Sequence, residues 1–142
     1  MKAEQIFSIA NLIAMLGWII LAVAPRFVLT RKIVLSGAIP LLLSVAYLVL
    51  IVLFFGAAEG SFGSLAGVMK LFTNEWAVLA GWIHYLAFDL FVGSWEVKDA
   101  QERGISHWLV IPCLVLTFLL GPIGFLLYSV LRYFLAKKVK ND

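Results

Sequence analysis

Charge is what this chain lacks most. Asp, Glu, Lys and Arg make up 13% of its 142 residues, apolar side chains make up 63%, and the mean hydropathy is +1.04. Soluble domains carry roughly 25% charged residues, so a water-soluble globule is excluded because too few polar atoms exist to coat it. Cysteine is equally scarce. Cys113 stands alone inside an apolar run, and no internal disulfide can form. Also missing are a phosphate-cradling glycine loop, a Gly-x-Ser-x-Gly elbow and a Cys-x-x-Cys pair. Metal ligation fails on spacing, since neither His-x-x-x-His nor Glu-x-x-His occurs on any one stretch. A haem between His84 and His107 fails on depth, with a mismatch on the order of 15 Å by helical rise. The sequence therefore points to no cofactor and no metal. A net charge of +3 and a pI near 9.2 would suggest nucleic acid in a soluble protein. Here the cations sit at the ends of apolar runs, as membrane-flank anchors, and no nucleic-acid partner is expected.

What is present is long apolar sequence. A hydrocarbon core of ~30 Å takes ~20 residues of helix, and four stretches reach that length. They predict an all-α integral membrane four-helix bundle, a single transmembrane domain over 1–142, with helices near 5–25, 33–56, 76–98 and 107–134. Lys2 and Ala22-Val23-Ala24 imitate a signal peptide, but Pro25 makes a poor cleavage site and the run is too long. With no transit-type leader ahead of this run, a bacterial cytoplasmic membrane is expected. Orientation stays undecided. Four spans put Lys2, Lys70, Arg132, Lys137, Lys138 and Lys140 on one side, against Arg26, Arg31, Lys32, Lys98 and Arg103 on the other. The stretch Leu65 to Phe72 reads as a short interfacial helix or a lid. Of the prolines inside apolar runs (Pro40, Pro112 and Pro122), Pro122 stands out within Gly121-Pro122-Ile123-Gly124. It takes the donor from the Phe118 carbonyl, so the fourth helix should bend there, with its concave side toward a groove beside helix three.

An ionisable side chain in hydrocarbon marks a functional site or a pairing by default, and His84 and Asp89 are the two that qualify. Five residues apart on a helix, they stand 140° apart and flank a groove. Asp89, Glu96 and Asp99 form a polar stripe running toward Arg103 in the third loop, and His84, Phe91 and Trp95 form an aromatic stripe beside it. His107 falls on the same face and is placed to close the pocket. Both His84 and Asp89 should point into the bundle, because exposure to lipid would cost desolvation without a partner. For Asp89 the available partners are Tyr47, Ser44, Asn11, Tyr128, Glu96, Asp99 and His107.

The runs Trp82-Ile83-His84-Tyr85-Leu86-Ala87-Phe88-Asp89-Leu90-Phe91 and Pro112 to Tyr128, with its Gly-Pro-Ile-Gly turn, resemble the abscisic-acid-deficient-four-like family of small four-helix membrane proteins. Plant members of that family are linked to neoxanthin formation from violaxanthin in plastid membranes. The resemblance implies an isomerisation in which an epoxide end group opens to an allene bearing a tertiary alcohol, without net redox change. His84 and Asp89 would be the acid/base couple. Trp82, Tyr85, Phe88, Phe91, Trp95 and Tyr47 would wall the substrate, with Glu96, Asp99, His107 and Arg103 behind them. The implied partners are a lipophilic polyene or isoprenoid substrate and membrane lipid, with a homo-oligomer or a partner membrane enzyme also admitted. A non-catalytic lipid- or pigment-binding or accessory protein is the alternative. A proton-coupled transporter is disfavoured, since four helices without an inverted repeat give little to alternate.

Overall fold

The computed structural model describes residues 2–54, 56 and 58–135; Lys137, Lys138 and Lys140 of the basic tail lie outside them. Among the described residues every regular element is helical. Helix α1 is Ala3–Val23, α2 Val28–Ile33, α3 Ala38–Phe54, α4 Leu65–Leu71, α5 Glu75–Arg103, α6 His107–Leu120 and α7 Pro122–Leu135. Among the described residues three segments are long and apolar enough to cross a membrane: Ala3–Val23, Val28–Phe54 (α2 and α3 together) and Glu75–Arg103.

Local chemistry sets these boundaries. Asn74 caps α5 by accepting from the Trp76 and Ala77 amides at 2.9 and 3.2 Å, and left-handed Gly104 (φ 69°) ends it. The helix expected over 76–98 therefore runs on to Arg103, about 44 Å at 1.5 Å per residue, and it outreaches the hydrocarbon. The helix expected to start near 33 starts at Ala38 instead, because Gly37 takes a positive φ of 82° after α2. Pro40 then falls in the first turn, where its missing N–H costs nothing. The second loop does carry a short helix, α4, capped by Ser64.

Helix α5 is the axis of the molecule. It packs against α3 on one side and against the α6–α7 pair on another, and α1 lies against it as well. Close approach needs glycine at two places: Leu90 reaches to Gly17, and the Trp18 ring lies on Gly93. The core forms two clusters along α5. One surrounds Trp18, Leu21, Leu90, Val97, Val110 and Tyr128. The other surrounds Ala14, Leu43, Leu50, Leu79, Ile83 and Ala87.

The single bent helix expected over 107–134 is instead two helices folded back on one another. Gly121 takes φ 43°, and Pro122 begins the second helix. Gly124 lies directly on the backbone of Thr117, seven residues earlier, where any side chain would clash. A straight helix would separate those residues by about 10 Å. Contacts to α5 confirm the direction. Going into the hairpin, Thr117 meets Glu96 and Gly121 meets Asp89; coming out, Phe125 meets Trp95, and Tyr128 and Arg132 both meet Asp99. Each arm has 14 residues, about 21 Å of helix, too short to cross. The reversal happens because a left-handed residue followed by a proline cannot continue a right-handed ladder, whereas a proline alone would only bend it.

One consequence is sidedness. Arg26, Arg31, Lys32, Lys98, Arg103 and Arg132 now share one end of the bundle, the basic face, and Lys2 and Lys70 hold the other. Among the described residues, six cations thus stand at that end against two at the other, where four spans would have divided them five against three.

Candidate functional site

The chemistry-bearing residues of α5 divide between two faces. On the α3 side two apolar clefts follow one another. The first, about 400 Å³, is lined by Pro40, Leu41, Ser44, Ala87, Phe88 and Phe91. The second, about 320 Å³, lies toward α4 and is lined by Tyr47, Ile51, Phe72, Ala80, Gly81 and His84 among others. The His84 ring stacks on Phe88 at 4.7 Å and meets Tyr47 edge-on at 5.5 Å, so this aromatic group links the walls of the two clefts. His84 is exposed on this groove rather than turned into the bundle as expected. Its ring packs against two aromatic side chains of the groove wall.

Asp89 faces the other way, into the hairpin. Its carboxylate lies against Gly121, where a Cβ would come within 2.9 Å of Oδ1. Its interacting side chain is Tyr85, one turn earlier, and none of the partners expected for it from more distant positions. The Oδ2 atom is buried without a hydrogen-bond partner. The Tyr85 hydroxyl donates to the Phe118 carbonyl at 2.9 Å, the acceptor that Pro122 deprives of its helical donor. Tyr85 has a single proton to give, and the hairpin takes it.

Farther along, Glu96 is fully buried; Thr117 donates to its Oε1 at 2.9 Å, and Oε2 has no partner. Asp99 is the hub of the polar network. It accepts from Tyr128 at 2.7 Å and forms ion pairs with Arg103 and Arg132, both at 2.9 Å. Arg132 also lies 5.5 Å over the Trp95 ring, which packs against Phe125 and Tyr128.

Several expected site residues thus have other work. Trp95 supports the hairpin and is not among the residues described lining either cleft. Trp82 donates to Asn11 at 3.1 Å and stands against Phe7, on the α1 side of α5. His107 binds the Ala22 carbonyl at 2.8 Å, satisfying an orphan acceptor at the end of α1 instead of closing a pocket. Arg103 belongs to Asp99. Phe88, Phe91 and Tyr47 do line the groove, and Tyr85 guards Asp89. The sequence reading missed Thr117 and Arg132. Their signal was there: a lone hydroxyl and a lone guanidinium in apolar helices need partners, and the Asp89, Glu96, Asp99 stripe supplies them. Among the described residues no group of three or more His, Cys, Asp or Glu side chains assembles that could hold a metal.

A family model described as ABA DEFICIENT 4-like matches residues 5–128. Protein ABA DEFICIENT 4, chloroplastic, of Arabidopsis thaliana is 24% identical across 99% of this chain and 64% of its own length. This chain thus spans less than two thirds of that relative. The relative's plastid location does not support the bacterial cytoplasmic membrane expected above. No solved structure matches the chain. With apolar helices able to span a bilayer, an Asp89 tucked under a Gly-Pro reversal, and a family match running from the first helix into the last, this chain belongs to the ABA DEFICIENT 4-like family.

Proposed function

We propose that the chain holds a carotenoid-like or polyisoprenoid lipid lengthwise between α3 and α5, serving the neoxanthin-type end-group chemistry to which the family is linked. The α6–α7 hairpin takes the place of a fourth span in this reading. The supporting observation is the succession of two apolar clefts on the same two helices, walled by Phe91, Phe88, His84 and Tyr47. From Ser36 to Ile51 the groove follows about 22 Å of helix, a shape suited to a long, thin, conjugated molecule. The groove presents the lipid to chemistry performed by a partner membrane enzyme or a second copy.

A second reading, isomerase, is favoured by the unpartnered Asp89 Oδ2 beside Tyr85. An acid would protonate the epoxide oxygen as the C–O bond breaks. A base would take one polyene proton, and its electron pair would complete the allene. His84 stands in the groove for one of these roles. Asp89 lies on the opposite face of α5, so it acts only on an end group that passes from the groove to the hairpin side with the tip moved off it.

The test is expression in a violaxanthin-accumulating membrane, followed by analysis of co-purified and total pigment. Wild type should retain a polyene, and Phe88→Ala should lose most of it. Conversion to an allenic product that Asp89→Asn or His84→Ala abolishes, with pigment still bound, selects the isomerase. Purification of wild type free of any polyene or isoprenoid removes both readings.

A further inference from the structure

The groove does not end in lipid at the basic face. Ser36, at its mouth, also lines a polar pocket of about 510 Å³ whose other walls are Arg31, Leu35, Lys98, Gln101 and Glu102. Arg31 and Lys98 are exposed and make no ion pair among the described residues, in contrast to Arg103 and Arg132 close by. Gln101 is fixed, its amide donating to the Pro25 carbonyl at 3.0 Å. One carboxylate, Glu102, opposes the two free cations. An apolar cleft large enough for an alkyl chain therefore opens onto two cations faced by a single carboxylate, a net positive rim.

We infer that this is a binding site for an anionic phospholipid, with its phosphate between Arg31 and Lys98 and one acyl chain in the cleft of Phe88 and Phe91. Charge complementarity selects the occupant. A neutral polyene offers nothing to either cation, and a zwitterionic headgroup brings its own. Sidedness agrees, because the basic face is the one that meets the anionic leaflet. Glu102 disfavours a second negative charge at the rim, which matches a phosphodiester better than a diphosphate. The site shares its acyl cleft with the groove proposed above and rests on that reading for nothing else. A bound phospholipid would occupy the basic-face half of the groove until a longer lipid displaces its chain.

The experiment is native mass spectrometry of the full chain released from neutral detergent. Dioleoyl phosphatidylglycerol is compared with dioleoyl phosphatidylcholine, for wild type, the double variant Arg31→Gln/Lys98→Gln, and the control Arg26→Gln. Each Lys or Arg near a membrane surface is worth enough that two should give on the order of a tenfold or greater preference for phosphatidylglycerol. The double variant should lose that preference while Arg26→Gln keeps it. Equal retention of both lipids by wild type, or an unchanged preference in the double variant, overturns the site. Displacement of phosphatidylglycerol by farnesyl diphosphate at substoichiometric amounts would make the occupant a prenyl diphosphate and also overturn it. Pigment retention is read on the same samples. If the double variant keeps its polyene while losing phosphatidylglycerol, Arg31 and Lys98 act on the phospholipid headgroup and not on the groove's other lipid, as the site requires. Loss of the polyene alone from wild type would strike only the groove reading.

Discussion

Tyr85 and Phe118 are joined across 2.9 Å by a hydrogen bond to the carbonyl left without a helical donor where the chain reverses. Pro122 cannot donate to the Phe118 carbonyl, and in hydrocarbon no water replaces it. Tyr85→Phe keeps the ring and removes the donor. The expected cost is about 1–2 kcal/mol, read as a lower detergent melting temperature or earlier unfolding in a denaturing surfactant. An unchanged transition would mean the carbonyl is satisfied otherwise.

The tip of the hairpin should be less forgiving still. A Cβ on Gly124 would strike the Thr117 backbone, which has no rotamer to yield, whereas a Cβ on Gly121 would meet mainly the Asp89 carboxylate at 2.9 Å, together with the strain of a positive φ. Both Gly→Ala changes should destabilise, Gly124→Ala by about 1–3 kcal/mol or more, as overpacking does. Refolded yield and thermal stability in detergent check the ranking. If Gly124→Ala proved neutral, the two arms would not pack as described.

Much of this was legible in the sequence, and what was not has a physical cause. Apolar run length located the membrane segments, and the missing donor at Phe118 was readable from Pro122 alone. Reversal was not, because a proline in a membrane helix gives the same signal whether the next turn continues or folds back. The difference lies in the φ of Gly121, which no residue type fixes. The error then spread to the site. With helix four assumed to cross, Arg132 fell on the opposite side from Lys98 and Arg103 and Tyr128 was offered to Asp89, whereas both are bonded partners of Asp99. His84 and Asp89 were both singled out by their cost in lipid, but 140° of helix sent one to the groove and the other to the hairpin.

Buried Glu96 invites a sharper substitution. Glu96→Gln preserves the acceptor for Thr117 and turns the unpartnered Oε2 into an amide. It should be tolerated within about 1 kcal/mol, while Glu96→Ala should cost about 2–4 kcal/mol by stranding the Thr117 hydroxyl and opening a cavity. Paired melting curves decide it. Equal losses from both would show that the carboxylate itself is required.

The loop helix α4 is tethered by Lys70 to Glu59 at 2.8 Å, with both side chains largely exposed. Lys70 holds the Glu59 carboxyl below its ordinary value, and Glu59 raises the Lys70 ammonium. A lowered acid contributes above its ordinary value and stops as pH falls through its folded one; a raised base contributes below its ordinary value and stops as pH climbs through its folded one. The tether should therefore be intact across neutral pH and fail in acid below the carboxylate range. Hydrogen-exchange protection in 65–71, with the intrinsic pH dependence of exchange divided out, should be flat from about pH 5 to 8, lower in acid, and sensitive to salt as exposed pairs are. Glu59→Gln should remove the acid-dependent loss of protection; a loss that persists would place its origin elsewhere.

The topology gives the most decisive test. In a Cys113→Ala background, single cysteines at Ser36, Gly63 and Tyr133 each sit at an exposed position. Three spans plus a returning hairpin put Tyr133 on the same side as Ser36 and opposite Gly63, because Arg132 pairs with Asp99 near the end of α5. A fourth span would put Tyr133 with Gly63. Labelling sealed vesicles of known sidedness with a membrane-impermeant maleimide should modify Ser36→Cys and Tyr133→Cys from one side and Gly63→Cys from the other. By the positive-inside rule the side of Ser36 and Tyr133 is the cytoplasmic or equivalent one. Labelling of Tyr133→Cys together with Gly63→Cys would overturn the hairpin. It would also overturn the contacts of Tyr128 and Arg132 with Asp99, since neither residue can reach the end of α5 from a helix that has crossed.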